Sequence, residues 1–250
     1  MSESVLHVPP WIDYLGETVV VWLNSPISEK SDIKLYSHIW NKAMLRYCTD
    51  GSSNLVAEYQ EKYSLKDPNF IIGDFDSISD YSKQYFKDKS QFVHTPNQDY
   101  TDFSKTLEQI TLNPLFPSIK NIIVLGGLTG RFDHVLASLN SLITFQASLF
   151  EGKIKTYLID ENNLITVTSS LNTTVEIVPN INILTGKCGY IPIMQKKTVV
   201  TTNGYKWDLE NEEIFFGGII STSNEIEKNR ISIKTNQPVI LYFEIKSDFM

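Results

Sequence analysis

Short apolar runs alternate with segments of helical spacing through the first 160 residues. Thr18–Leu23, Met44–Cys48, Phe70–Ile72, Phe92–His94, Asn121–Leu125 and Lys155–Ile159 read as strands. Several are nearly unbroken in their apolarity, the pattern of strands covered on both faces. From Phe132 to about Phe150 the period changes: Phe132, Val135, Leu136, Leu139, Leu142 and Ile143 fall on one side of a helix. Such alternation predicts a doubly wound α/β/α domain built on a parallel sheet.

Beyond Asn162 the texture is different. Leu164–Thr168, Thr174–Val178, Lys197–Thr201, Ile231–Thr235 and Val239–Ile245 are short β-rich runs separated by Gly, Asn and Pro, with no helical period among them. This spacing predicts an all-β sandwich. The expected organisation is an α/β domain over 1–160 and a β-sandwich domain over 161–250. Within the second, Ser221–Asn224 reads as a turn and Trp207 as strand core.

Composition narrows the class. The chain is 42% hydrophobic and 20% charged, with 4 Trp, 12 Tyr and 13 Phe, which excludes long disordered spans. A net charge of −7 with no Lys/Arg block argues against nucleic acid as the main partner. It is compatible with a nucleotide, because a divalent cation brings its own positive charge. Cys48 and Cys188 lie far apart and outside any C-x-x-C pattern, so neither a zinc site nor a disulfide scaffold is indicated. A reducing cytoplasmic setting is the simplest expectation. Met1–Pro10 has no basic start and carries Glu3, unlike a signal peptide, and no stretch reaches the ~18 apolar residues of a membrane span.

Candidate chemistry gathers at the ends of the expected strands. Gly73-Asp74-Phe75-Asp76-Ser77 follows Phe70–Ile72 directly. If the chain stays extended there, Asp74 and Asp76 project to the same side. Paired carboxylates at a parallel strand end suit Mg²⁺ held together with substrate phosphates. An acidic loop in which Asp76 or Ser77 caps the next helix accounts for the same residues. In Gln98-Asp99-Tyr100-Thr101-Asp102-Phe103-Ser104-Lys105, Asp99 is placed as a helix N-cap. Phe103, Leu107 and Ile110 would form that helix's buried side, and Asp102 and Lys105 share a face. Its first turn would favour phosphate, although taken in isolation these residues read first as a well-capped helix with a surface ion pair.

Gly126-Gly127-Leu128-Thr129-Gly130-Arg131-Phe132-Asp133-His134 joins a strand to the long helix. Glycines at such a junction let backbone approach a phosphate. The run is neither the dinucleotide fingerprint nor a Walker motif, which disfavours a Rossmann dehydrogenase and a P-loop kinase. Arg131 can stabilise developing phosphoryl charge, or pair with Asp133. Asp50-Gly51-Ser52-Ser53-Asn54 is a further strand end. Doubly wound sheets collect these ends along one edge.

Taken together, these blocks resemble the signatures of the thiamine pyrophosphokinase family, eukaryotic type: Gly73-Asp74-Phe75-Asp76-Ser77, Gln98-Asp99-x-Thr101-Asp102-Phe103-x-Lys105 and Gly126-Gly127-x-x-Gly130-Arg131-x-Asp133, in family order. The turn at Asp50 is similar to the family's D-G-G-A-N, with Ser52 and Ser53 replacing Gly and Ala. Gly204-Tyr205-Lys206-Trp207-Asp208-Leu209 and Ser221-Thr222-Ser223-Asn224 resemble animal and fungal members. The resemblance implies transfer of pyrophosphate from ATP to the hydroxyl of thiamine, with Mg²⁺ as cofactor. It implies that Asp50, Asp74, Asp76 and Asp102 handle metal and catalysis, with Arg131 at the transition state. Gln98, Asp99, Thr101, Lys105, Gly127, Gly130, Arg131 and Asp133 would hold the nucleotide, and Trp207, Ser221, Ser223 and Asn224 thiamine. A homodimer with sites shared between subunits is implied as well. Either Asp102 or Asp74 can serve as general base. Another magnesium-dependent nucleotide phosphotransferase or hydrolase, or an inactive thiamine or nucleotide sensor, would use the same residues.

Overall fold

The computed structural model describes residues 4–10, 15–27, 33–146, 154–168 and 171–247. Two units separate: Asp13–Ser141 with Leu158–Glu161, and Met1–Ile12 with Leu142–Tyr157 and Asn162–Met250. Chain order begins with β1 (Ser4–Val8), which belongs to the strand-rich unit. The α/β unit then runs β2 (Thr18–Trp22), α1 (Lys34–Lys42), β3 (Leu45–Thr49), α2 (Ser52–Tyr63), β4 (Phe70–Gly73) and α3 (Asp80–Phe86). It continues through β5 (Gln91–His94), α4 (Asp102–Thr111), β6 (Asn121–Leu125), the start of α5 (Phe132–Thr144) and the end of β7 (Lys155–Asp160).

Strands β6, β2, β3, β4 and β5 lie side by side in that order and all run parallel. The last residues of β7 stand beside β6. All five residues of β2 are buried, as the unbroken apolar run predicts for a central strand. The chain steps outward from β2 through β3 and β4 to β5, then returns to β6 on the other flank of β2. The topological switch therefore falls between β2 and β6, where an open α/β sheet leaves a crevice beyond its strand ends. Trp22 anchors α1 to the sheet through edge-on contacts with Tyr36 and Trp40.

In the strand-rich unit, β8 (Asn163–Val167), β9 (Thr174–Pro179), β10 (Leu184–Pro192), β11 (Thr198–Asn203), β12 (Glu212–Ile214), β13 (Ser221–Glu225), β14 (Ile231–Thr235) and β15 (Val239–Ile245) form two sheets with β1. One has the order β1-β9-β14-β11-β12 and the other β13-β10-β15-β8. This is the expected sandwich, and no helix lies among its described residues beyond 162.

The differences from expectation have local causes. β1 pairs in parallel with β9, so the N-terminal residues join the second unit rather than the first. β10 was not predicted, because Gly186, Lys187, Gly189 and Pro192 break its apolar run and its register shifts twice. Ser221–Glu225 is an edge strand against β10, not a turn; its polarity is that of a one-sided strand with only Asn224 buried. Helix α5 ends at Thr144, and the expected end at about Phe150 lies outside the described residues. Among the described residues, no helix is long and apolar enough to cross a membrane.

Candidate active site

The site is assembled from strand ends. Beyond β3 the Asp50 N–H donates to Ile72 O at 2.8 Å, which carries the sheet pairing one residue further and turns the carboxylate inward. The residue as a whole is 2% exposed. The carboxylate Oδ1 accepts from Gly51 N at 2.6 Å and its Oδ2 from Ser77 N at 3.3 Å. Burial raises the Asp50 pKa above the ordinary carboxylate value; the hydrogen bond from Gly51 opposes this, and the charges of Asp102 and Asp74 reinforce it.

At the neighbouring end of β4, Asp74 and Asp76 converge by a different route from the one expected. The backbone is not extended: Phe75 adopts φ 68°, a left-handed conformation uncommon outside glycine. The turn brings the Asp76 N–H within 3.2 Å of Asp74 Oδ1, and Ser77 Oγ donates to Asp76 Oδ1 at 2.7 Å. The Phe75 ring stacks on His94 and meets Phe92 edge-on, which ties the turn to β5. The Asp76 N–H holds the Asp74 pKa down, with Lys105 adding to the effect. Neither Asp76 nor Ser77 caps the next helix; Ser79 does, accepting from Ser82 N.

Helix α4 supplies the facing wall. Its N-cap is Thr101 rather than Asp99: Thr101 Oγ1 accepts from Ser104 N at 3.1 Å. Asp99 sits in the preceding loop, where its N–H is taken by Asn97 Oδ1. Phe103, Leu107 and Ile110 are buried as the periodicity requires. Asp102 and Lys105 pair at 2.7 Å one turn apart, and Lys105 Nζ also donates to Thr95 O at 3.1 Å.

The glycine-rich turn after β6 closes the opposite flank. Gly126 and Gly127 take φ values of 86° and 99°, which a side chain would resist. Arg131 Nε and Nη2 reach Asp133 at 3.1 and 2.6 Å, a two-pronged pair with both side chains largely exposed.

A cleft of about 760 Å³ lies among these ends. Asp50, Asp74, Asp76, Gln98, Thr101, Asp102, Lys105, Gly127 and Arg131 all line it, whereas Asp99, Gly130 and Asp133 do not. Three further lining residues, Asn24, Ser25 and Pro26, escaped the sequence reading. They follow β2, which carries no Asp or Gly at its end and so raised no signal. Their place beside the switch point would have singled them out once strand order was known. Tyr100 and His134 also border the cleft.

Carboxylate oxygens of Asp50, Asp74 and Asp76 lie within 4.8 Å of one another. Among the described residues, none of the three forms an ion pair with a lysine or arginine. Three hard oxygen donors, one of them desolvated, fit a magnesium ion shared with phosphates. Asp102 borders the same cleft but stands outside this group.

In the strand-rich unit, Trp207 is 54% exposed, not core. Asn224 is 2% exposed and reaches back to the Trp207 backbone, accepting from its N–H at 3.2 Å and donating to its carbonyl at 3.1 Å. Ser221 Oγ accepts from Asn224 Nδ2 at 3.2 Å, and Ser223 is exposed with φ 58°. Trp207, Ser221 and Asn224 are thus one connected group, with Ser223 beside them on β13.

Comparison with known proteins identifies the relatives of the chain. Residues 36–155 match the thiamin pyrophosphokinase catalytic domain and residues 173–240 the thiamin pyrophosphokinase vitamin B1 binding domain. Thiamin pyrophosphokinase 1 of Caenorhabditis elegans is 37% identical over 92% of this chain and 90% of its own length. Thiamine pyrophosphokinase 1 of Oryza sativa subsp. japonica is 30% identical over 98% of this chain and 94% of its own. The solved thiamin pyrophosphokinase from Candida albicans superposes with a TM-score of 0.82 at 25% identity, over 98% of this chain and 94% of that one. The yeast enzyme superposes with 0.84, also at 25% identity, over 99% and 92%. On this agreement of sequence and fold, the chain belongs to the thiamin pyrophosphokinase family.

Proposed function

We propose that the protein transfers the pyrophosphoryl group of ATP to the primary hydroxyl of thiamine, giving thiamine diphosphate and AMP. The observation that carries this reading is the convergence of Asp50, Asp74 and Asp76 in the cleft of a family member. The thiamine oxygen forms a bond to the β-phosphorus while the bond from that phosphorus to the α–β bridging oxygen breaks. The hydroxyl proton passes to a base, and AMP departs with the bridging oxygen.

Asp50, Asp74 and Asp76 would hold Mg²⁺, which when bound neutralises phosphate charge and polarises the β-phosphoryl group. Asp102 is left over from that set and is the base this reading favours, with Lys105 holding it at 2.7 Å. Gln98 and Thr101 offer uncharged donors to the nucleotide, and Arg131 offers its fork to charge that develops on the transferred group. Trp207 presents an aromatic face suited to a thiazolium cation. Lys206 Nζ now stands 4.7 Å from that ring. The reading includes a homodimer with shared sites, as family resemblance implies, and a cytoplasmic setting, in keeping with two free buried cysteines.

The test is to incubate the protein with ATP, Mg²⁺ and thiamine and to identify every phosphorylated product by mass spectrometry. AMP and thiamine diphosphate in equal amounts are expected. ADP, or free pyrophosphate with unmodified thiamine, would sink the reading.

A further inference from the structure

Three successive N–H groups of the glycine-rich turn are already occupied within the protein. Gly126 N–H donates to Ile159 O at 2.8 Å, Gly127 N–H to Ser25 Oγ at 2.6 Å, and Leu128 N–H to Asp160 Oδ2 at 2.7 Å. Thr129 Oγ1 lies 3.1 Å from the same Asp160 oxygen and 3.2 Å from Pro26 O. Tyr36 Oη, from α1, also donates to Asp160 Oδ1 at 3.4 Å. The turn therefore does not offer these amides to a phosphate, although its glycines suggest such a cradle.

Asp160 is 3% exposed and stands at the end of β7. A carboxylate buried this deeply is costly unless its oxygens are satisfied, and charged acceptors make stronger hydrogen bonds than neutral ones. Two of the bonds its oxygens accept, from Leu128 N–H and Thr129 Oγ1, come from the segment whose far end carries Arg131 to the cleft. Arg131 has a long side chain with many rotamers and is largely exposed, so the placement of its Cα decides where its fork can reach.

We propose that Asp160 is a positioning residue for pyrophosphoryl transfer, fixing the Gly126–Gly130 turn so that Arg131 meets the phosphates. The proposal rests on the reaction assigned above. Ser25, in the loop that follows β2, assists by holding Gly127.

The experiment is a double-mutant cycle on the full chain with ATP, Mg²⁺ and thiamine. Misplacement of a group by about 1 Å costs on the order of 100-fold, so Asp160→Ala is expected to lower kcat/KM for ATP by that much while the thiamine KM stays put. In the Arg131→Ala background the same change should cost less than about threefold, because nothing remains to be positioned. Asp160→Asn keeps an acceptor for Leu128 and Thr129 and should recover activity to within roughly fivefold of the unmodified protein. Equal losses from Asp160→Ala in both backgrounds overturn the proposal, since the residue would then support the fold at large. Should Asp160→Ala fail to fold, Thr129→Val carries the same cycle with the same two outcomes. No thiamine diphosphate from the unmodified protein would sink the reaction and this role with it; normal turnover with additive losses sinks the role alone.

Discussion

The carboxylate of Asp50 fills the space where a side chain on Gly73 would begin: a Cβ there would lie 2.6 Å from Asp50 Cγ. Asp50 follows β3 and Gly73 ends the adjacent β4, so the acidic group exists in its present form because the neighbouring strand ends in glycine. Gly73→Ala must push the Asp50 carboxylate aside. Overpacking of this kind costs roughly 1–3 kcal/mol, so the thermal midpoint should fall. More diagnostically, the Mg²⁺ concentration for half-maximal turnover should rise severalfold. An unchanged requirement for Mg²⁺ would remove Asp50 from the ligand set.

Asp50 also gives a pH signature. Its folded pKa is raised, chiefly by burial. An acid raised in this way binds its proton more tightly in the folded chain. Without metal, its contribution to stability is then greatest at or below the ordinary carboxylate range and declines as pH rises towards the folded pKa. A bound cation offsets that decline. The increase in Tm caused by Mg²⁺ over EDTA should therefore be larger at about pH 8 than at about pH 5. A magnesium effect of the same size at both would contradict the assignment.

For Asp74, asparagine is the informative replacement. The turn at Phe75 is held by Asp76 N–H donating to Asp74 Oδ1, a bond that an amide oxygen can still accept. Asp74→Asn should keep the fold while losing a charged oxygen aimed at the cation. Turnover is expected to drop roughly 10²- to 10³-fold, with Tm measured without Mg²⁺ close to that of the unmodified protein. Near-native turnover would refute the metal assignment.

Asn224 and Trp207 separate framework from contact. Asn224 is buried and bonded to Trp207, Ser221, Tyr190 and Glu225, so Asn224→Ala leaves several polar groups without partners. A loss of about 2–3 kcal/mol is expected by chemical denaturation, together with a raised thiamine KM as the Trp207 loop loosens. Trp207 is more than half exposed, and Trp207→Ala should barely move Tm while raising the thiamine KM above any change in the ATP KM. If the two variants have the same stability, Asn224 is not the anchor that its hydrogen bonds suggest.

Much of this was legible in the sequence, for identifiable reasons. Strands β2, β6 and β14 announced themselves because burial on one or both faces leaves an apolar or alternating record, whereas β10 and β13 are broken or polar and left none. The aspartates of the cleft were visible because carboxylates at strand ends are chemically conspicuous. How they meet was not. The convergence of Asp74 and Asp76 depends on a left-handed Phe75, a residue whose side chain gives no hint of that backbone. Ser25 and Asp160 were invisible for another reason. Ser25 acts on a turn 102 residues away in sequence and Asp160 on one 32 residues away, and only strand order brings them together.

Arg131 offers the sharpest separation of charge from geometry. Its pair with Asp133 is two-pronged yet exposed, and water screens such pairs until they contribute little to folding. Neither Arg131→Lys nor Asp133→Asn should therefore shift Tm. Their kinetics should differ. Lysine keeps the charge but cannot present two parallel N–H groups to a phosphoryl oxygen pair, so kcat should fall on the order of 10- to 100-fold. Asp133→Asn leaves the fork intact and removes only its resting partner, so its effect on kcat should be smaller by about tenfold. Steady-state kinetics on both variants decides the matter. Equal losses would mean that the ion pair itself is the working unit; full activity in Arg131→Lys would mean that charge alone suffices and the planar fork is incidental.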